Sequence, residues 1–168
     1  TVTGSKPLLR VGARAVMLDC GLFQGLKALR LRNWQALPFD IGKLEAVVLS
    51  HAHLDHCGYL PVLARSGFAN PIYCTPGSAA LLELTLRDAA KLQEEDARRA
   101  NVHQYTRHKP ALPLFTLEDA ELALQLVKTS PYGERFEVTE GITAQFHRAG
   151  HILGSAIVDI ELHAGSSR

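Results

Sequence analysis

The sequence predicts an α/β domain. β-prone apolar runs stand near both ends and in the middle of the chain, a long stretch of helically spaced leucine and alanine lies between them, and the two kinds of segment alternate instead of separating into blocks. Leu8–Val11 and Ala15–Leu18 flank Gly12 and read as a hairpin, with a further apolar piece in the first forty residues, and the second run ends in Asp19-Cys20-Gly21. Ala46-Val47-Val48-Leu49-Ser50 is a continuous β-prone run that stops at His51, which suits a buried strand delivering its C-terminal loop to a site. Ile72-Tyr73-Cys74 is a short strand, followed by Thr75 as an N-cap and Pro76 at the first helical position. From Ser78 to about Asn101, Leu81, Leu82, Leu86, Ala89 and Leu92 recur near helical spacing among charged residues that solvate the other face. Pro110 and Pro113 mark a linker, and Thr116 with Asp119 has the form of a capping box opening a helix over Leu117–Lys128. Beyond Gly133, Phe136–Val138, Ile142–Phe146 and Ala156–Leu162 read as strands, the last with Val158, Ile160 and Leu162 alternating against Asp159 and Glu161.

A chain of 168 residues with 46% hydrophobic content suits one domain or part of one, and neither a repeat nor a low-complexity stretch divides it. Its 18 basic and 17 acidic residues leave a net charge of +1, so any surface for nucleic acid must be local. No stretch approaches the roughly 20 apolar residues of a membrane span. Cys20, Cys57 and Cys74 are odd in number and sparse, which with no signal-peptide-like opening points to a reducing cytoplasm. The chain opens at Thr1, has its only methionine at Met17 and stops at Arg168 just after a strand-like run, so the expectation is a piece of a longer product.

The segment Ser50-His51-Ala52-His53-Leu54-Asp55-His56-Cys57-Gly58 places three of the eight histidines and one carboxylate within six residues. Residues two apart on an extended segment point the same way, so His51 and His53 can aim at one cation. A turn through Leu54 lets Asp55 and His56 face a second position. Imidazole and carboxylate donors without a thiolate quartet favour a catalytic zinc site, which keeps a position open for water. Far downstream, Gly150 and Gly154 flank His151 at another strand-to-loop junction, where a backbone of little bulk can approach the site and supply a third ligand to the first metal.

The His-x-His-x-Asp-His run at 51–56, with Asp19 closing an early strand and His151 at long range, resembles the metallo-β-lactamase superfamily. Asp19 through Gly25, Tyr105 through His108 with Pro110 through Leu114, and Ala149 through Ala156 resemble its β-CASP branch, the RNA-processing nucleases, and within it the bacterial single-chain ribonucleases. The resemblance implies a four-layer αββα sandwich with two zinc ions, the first held by His51, His53 and His151 and the second by Asp55 and His56, with Asp19 as a supporting carboxylate. It implies hydrolysis of RNA phosphodiesters by a metal-activated hydroxide, with Asp55 and His56 as catalytic residues and Asp55 orienting or deprotonating the water. Residues 1–168 would then be the N-terminal part of a metallo-β-lactamase domain, inactive alone, with the bridging aspartate, the final histidine ligand and the inserted β-CASP domain beyond Arg168. Self-association is compatible with this reading.

Simpler readings exist for several of these residues. Asp19 could be a turn residue bonded to its own backbone, and Cys57 a buried hydrophobe. His103, His108, His147 and His163 read as surface or packing residues. Lys27, Arg30 and Arg32, with Trp34 close by and no acidic residue between Cys20 and Phe39, could contact phosphate and stack on bases, though composition alone favours a solvated basic face. RNA as substrate therefore rests on the resemblance. A small ester, thioester or lactam hydrolase with the same site, and a non-catalytic subunit of an RNA-processing complex, are the alternatives; the complete ligand run at 51–56 argues against the second.

Overall fold

The computed structural model describes residues 4–163. In chain order its elements are β1 (Leu8–Val11), β2 (Arg14–Leu18), α1 (Lys27–Arg30), β3 (Leu44–Val48), α2 (Leu54–Cys57), α3 (Leu60–Arg65), β4 (Ile72–Cys74), α4 (Pro76–His103), α5 (Leu117–Gln125), β5 (Val127–Thr129), β6 (Arg135–Thr139), β7 (Ile142–Arg148) and β8 (Ala156–Leu162). They build two sheets, one ordered β1-β2-β3-β4-β5 and one ordered β6-β7-β8. The first is parallel from β2 to β5, with β1 added antiparallel through the Gly12 turn. The second is antiparallel throughout.

Strand periodicity sorts the side chains into two cores. Ala15, Met17, Val47, Leu49, Ile72 and Cys74 face the helices, against Leu82, Leu86, Ala90, Phe115, Ala120 and Ala123. Their neighbours Val16, Ala46 and Val48 face the second sheet and meet Val138, Ile142, Ala144, Phe146 and Ala156. Because side chains alternate between faces, the part of a strand buried on both sides is apolar at successive positions, and this is why Ala46, Val47 and Val48 of β3 run on into Leu49 as an apolar stretch after Glu45. The predicted α/β class holds. The described residues supply three layers, helix, sheet and sheet, of the expected four.

The capping box forms as the sequence predicts. Thr116 Oγ1 accepts from the Asp119 amide at 3.2 Å, and the Asp119 carboxylate accepts from the Thr116 amide at 2.9 Å and from Arg65 at 3.0 Å. The helix it opens is shorter than predicted. It ends at Gln125, and Lys128 belongs to β5, paired in parallel with Tyr73. Val127, at helical spacing from Ala123 and Leu124, prolongs the apolar pattern into what is a strand, and pairing with β4 decides the outcome. In α4 the surface charges pair locally, Arg99 with Glu95 at 2.8 Å and Arg98 with Glu95 at 3.6 Å.

Phe146 is fully buried between the sheets, with Phe136 at 5.1 Å centroid separation and Tyr73 stacked beyond it at the same distance from Phe136. Phe146→Ala should lower unfolding free energy by ~3–5 kcal/mol in chemical denaturation. A loss under ~1 kcal/mol would show that the two sheets do not share this core.

Candidate metal centre

Three backbone segments meet at the carboxyl end of the parallel strands, the edge where open α/β sheets place their ligands. Asp19 follows β2, Ser50 through His56 follow β3, and His151 lies in the turn between β7 and β8. Asp19 has φ 59, a left-handed backbone that aspartate tolerates better than most residues, and its amide is held by the Val48 carbonyl at 2.9 Å. This conformation turns its carboxylate across the end of β3. There it accepts from the Ser50 amide at 2.7 Å, from Ser50 Oγ at 2.9 Å and from His56 Nδ1 at 2.7 Å.

Counting protons fixes the tautomers. A carboxylate only accepts, so His56 Nδ1 carries a ring proton, and in the neutral ring that a metal ligand requires Nε2 keeps its lone pair. Ser50 Oγ gives its one proton to Asp19, so it can only accept from His51 Nδ1 at 2.9 Å, and His51 Nε2 is likewise left bare. Burial first, then the neighbouring His56, pulls the His51 imidazole down to about 4 against the opposing pull of Asp19. It is therefore neutral at ordinary pH, the form a metal ligand needs.

The bare His51 Nε2 lies 3.1 Å from His53 Nδ1, and His151 Nε2 lies 3.2 Å from the same atom. One proton on His53 Nδ1 could serve only one of these contacts as donor. A cation at the centre satisfies all three nitrogens together: metal–nitrogen bonds of about 2.0–2.1 Å put tetrahedral ligands about 3.3 Å apart. Among the described residues these three histidines form the one set of three or more donors able to hold an ion, their ligand atoms all within 4.8 Å of one another. Asp55 and His56 stand beside this set as a pair. Asp55 Oδ2 is 3.3 Å from His56 Nε2, close enough for both atoms to bind one ion, and the His56 ring lies 4.1 Å from that of His51. The donor set thus fits one ion completely and a second ion in part.

His151 is set by the turn that carries it. Ser155 Oγ accepts from the His151 and Ile152 amides at 3.1 Å each, and the Ser155 carbonyl accepts from the Tyr132 hydroxyl at 2.9 Å. The Gly154 carbonyl accepts from Thr75 Oγ1 at 2.6 Å and Ser78 Oγ at 2.9 Å, both at the start of α4. A Cβ on Gly154 would lie 2.0 Å from the Ser78 amide nitrogen, so only glycine permits this approach, and its φ of +79 requires glycine as well. The Ala156 amide closes the circuit by donating to the Ser50 carbonyl at 2.8 Å.

Asp55 is braced differently. Backbone bonds lace its turn to the loop after β2: Cys20 N to His56 O at 2.6 Å, Leu22 N to Leu54 O at 2.8 Å and Ser5 N to Asp55 O at 2.8 Å. A Cβ on Gly21 would lie 1.5 Å from the Asp55 carbonyl oxygen. The turn drawn through Leu54 is a short helix, α2, that begins there.

The structure places every predicted site residue at this one edge. Sequence reasoning missed the bracing roles of Ser50, Ser78, Gly21 and Ser155, and read Thr75 only as the N-cap that it also is. A serine before a histidine carries no local signal, and the other contacts join residues far apart in the chain. His147 and His163 lie outside the cluster, near Asp159 at 3.9 Å and Thr143 at 3.0 Å respectively.

A sheet pair carrying convergent imidazoles at the carboxyl ends of its parallel strands defines a metal-binding α/β sandwich. The chain belongs to the metallo-beta-lactamase superfamily, whose family match spans residues 8–156. A ribonuclease of Thermus thermophilus is 40% identical over 157 residues, covering 94% of this chain and 32% of that protein. The transcription termination factor FttA of Methanocaldococcus jannaschii is 29% identical over 150 residues, covering 89% of this chain and 22% of that protein. The chain thus spans about a third or less of these relatives. Among solved structures, a metallo-beta-lactamase from Cronobacter sakazakii, in a variant of its HARLDQ motif, superposes with TM-score 0.56 at 21% identity, covering 97% of this chain and 55% of that one. Zinc-bound PqqB from Methylobacterium extorquens superposes with TM-score 0.51 at 18% identity, covering 92% and 44%. These likenesses show a shared fold.

Cys20, Cys57 and Cys74 are buried and unpaired beneath the metal edge. Burial pushes the Cys20 and Cys74 thiols up to about 12 and Cys57 higher still. All three should therefore resist alkylation by iodoacetamide at pH 8 in the folded chain and react once it is denatured, as read by mass spectrometry. Rapid labelling of Cys57 in the native state would place it outside the core.

Proposed function

We propose that this chain carries the metal centre of a zinc-dependent hydrolase that cleaves RNA phosphodiester bonds. The observation that carries this reading is the convergence of His51 Nε2, His53 Nδ1 and His151 Nε2 on one point, in a chain 40% identical to a ribonuclease over 94% of its length. Zinc is assigned because the donors are imidazole and carboxylate and the nitrogen spacing suits a tetrahedral ion. His51, His53 and His151 would hold the first ion and Asp55 with His56 would begin a second. Remaining second-site ligands and a β-CASP segment would be supplied by parts of the protein outside residues 1–168. Ions bound there would act as Lewis acids, acidifying water and neutralising charge on the phosphoryl oxygens.

The chain's own residues account for the rest. Asp55 presents Oδ2 at the edge of the cluster, where it can orient a water and hold the proton that water releases when its oxygen attacks phosphorus. The bond from phosphorus to the leaving oxygen would break as the new P–O bond forms, and that oxygen would take its proton from an acid supplied outside residues 1–168. His56 is kept in one orientation by Asp19, so its Nε2 faces Asp55 throughout. Asp19 also holds His51 through Ser50, which makes it a positioning carboxylate for both halves of the site. The free thiols fit a reducing cytoplasm.

The test uses the full-length protein. Chelation should abolish cleavage of end-labelled RNA and Zn²⁺ should restore it. Asp55→Asn should slow cleavage by about 10²–10⁴-fold, the range for loss of a general base, and His53→Ala should also lower zinc content. A variant pair cleaving RNA as fast as its parent would rule the mechanism out.

A further inference from the structure

The loop after β2 does not end at the metal edge. Leu22 is bonded to Leu54, and the next residue, Phe23, exchanges two hydrogen bonds of 2.9 Å with the Asn33 side chain, Phe23 N to Oδ1 and Nδ2 to Phe23 O. Asn33 is buried, and it pins the strap formed by α1 and the turn at Leu31–Trp34 against the loop that braces Asp55. Lys27, Arg30 and Arg32 on this strap are exposed, and no ion pair among the described residues engages them. Trp34 is 58% exposed, unusual for the largest aromatic side chain. It lines a groove of about 370 Å³ shared with Tyr59 and Arg65, and Tyr59 lies three residues beyond His56. Lys6 Nζ lies 4.2 Å from the ring of the buried Tyr59 and 4.6 Å from that of Phe23, which packs the amino-terminal segment between the strap and the metal loop.

We infer that this strap is the track along which single-stranded RNA enters the metal site. Lys27, Arg30 and Arg32 take the phosphates and Trp34 stacks on an unpaired base. Three cations with no ion-pair partner among the described residues, Arg32 lying 5.6 Å over the Phe23 ring, and no acidic residue from Gly21 to Phe39 complement a polyanion. An exposed indole beside them offers a face that any base can use, which suits a substrate read by its backbone and stacking. Leu26 and Leu31 are also exposed on the strap, the apolar surface a protein partner would use, and a measurement of oligomeric state separates that occupant from RNA. This inference rests on RNA being the substrate of the proposed site, and it assigns the strap a role separate from the metal ligands.

The experiment measures binding of a fluorescently labelled single-stranded RNA to the full-length protein over a salt series, in an Asp55→Asn background that stops turnover. Replacing Lys27, Arg30 and Arg32 together by Gln should weaken binding and flatten the log–log salt slope by roughly 2, about 0.7 for each lost phosphate contact. Trp34→Ala should cost roughly five- to hundredfold in affinity with little change of slope, and Trp34→Phe should recover part of it. Zinc content and circular dichroism should match the parent. RNA carrying 4-thiouridine should cross-link to the peptide containing Trp34. Unchanged affinity and slope in the variants, or cross-links elsewhere only, would overturn the inference while leaving the metal-site reading intact. A change confined to oligomeric state would overturn it in favour of a protein contact. Failure of the parent protein to bind or cleave RNA would instead defeat the underlying function.

Discussion

Asp19 accepts hydrogen bonds from Ser50 and from His56 at 2.7–2.9 Å, and those bonds decide which nitrogen of two imidazoles faces the site. The constraint is electrostatic and geometric at once. An acceptor-only group behind the ligands forces protons onto the far side of His56 and, through the Ser50 hydroxyl, of His51, leaving Nε2 of each free to bind. A left-handed residue at the end of β2 is needed to bring the carboxylate there, a local cost of about 1–2 kcal/mol. The sheet core offsets it, because β2 and β3 are locked in register by two buried faces, and the carboxylate and the serine cannot drift apart.

His151, proposed as the remaining ligand, comes from almost a hundred residues downstream, and two glycine contacts make that distance irrelevant. Gly154 lets the His151 turn lie directly on the first turn of α4, and Gly21 lets the loop after β2 lie on the Asp55 carbonyl. In both places backbone meets backbone: main-chain hydrogen bonds hold the Asp55 turn, and the hydroxyls of Thr75, Ser78, Ser155 and Tyr132 hold the His151 turn. Such rigidity is what a metal site requires, since displacement by a few tenths of an ångström changes the ligand geometry.

Much of this was legible in the residues alone. The cluster at 51–56 was visible because three imidazoles and a carboxylate crowd one strand end, and the last of the three strands after Gly133, Ala156–Leu162, showed period-two apolar spacing. Thr75 and Pro76 announced α4, and Thr116 with Asp119 announced α5. What stayed hidden has physical reasons. α1, α2 and α3 are four to six residues long, too short for a helical period to register. β5 is three residues joined to a helix without a breaker, and only its pairing with β4 makes it a strand. The roles of Ser50 and Ser155 depend on contacts made after folding, whereas the close backbone approach at Gly154 was legible and only its partner, the start of α4, was not. The basic strap was legible as charge, but composition could not place it beside the metal loop.

The most direct test of this organisation reads the ring protons themselves. Long-range ¹H–¹⁵N correlation spectra of the zinc-loaded protein distinguish the two imidazole tautomers. His51 and His56 should both show a protonated Nδ1 and a metal-shifted Nε2, and Asp19→Ala should scramble both. A proton on Nε2 of either ring, or spectra unchanged by the loss of Asp19, would contradict the claim that this carboxylate orders the site.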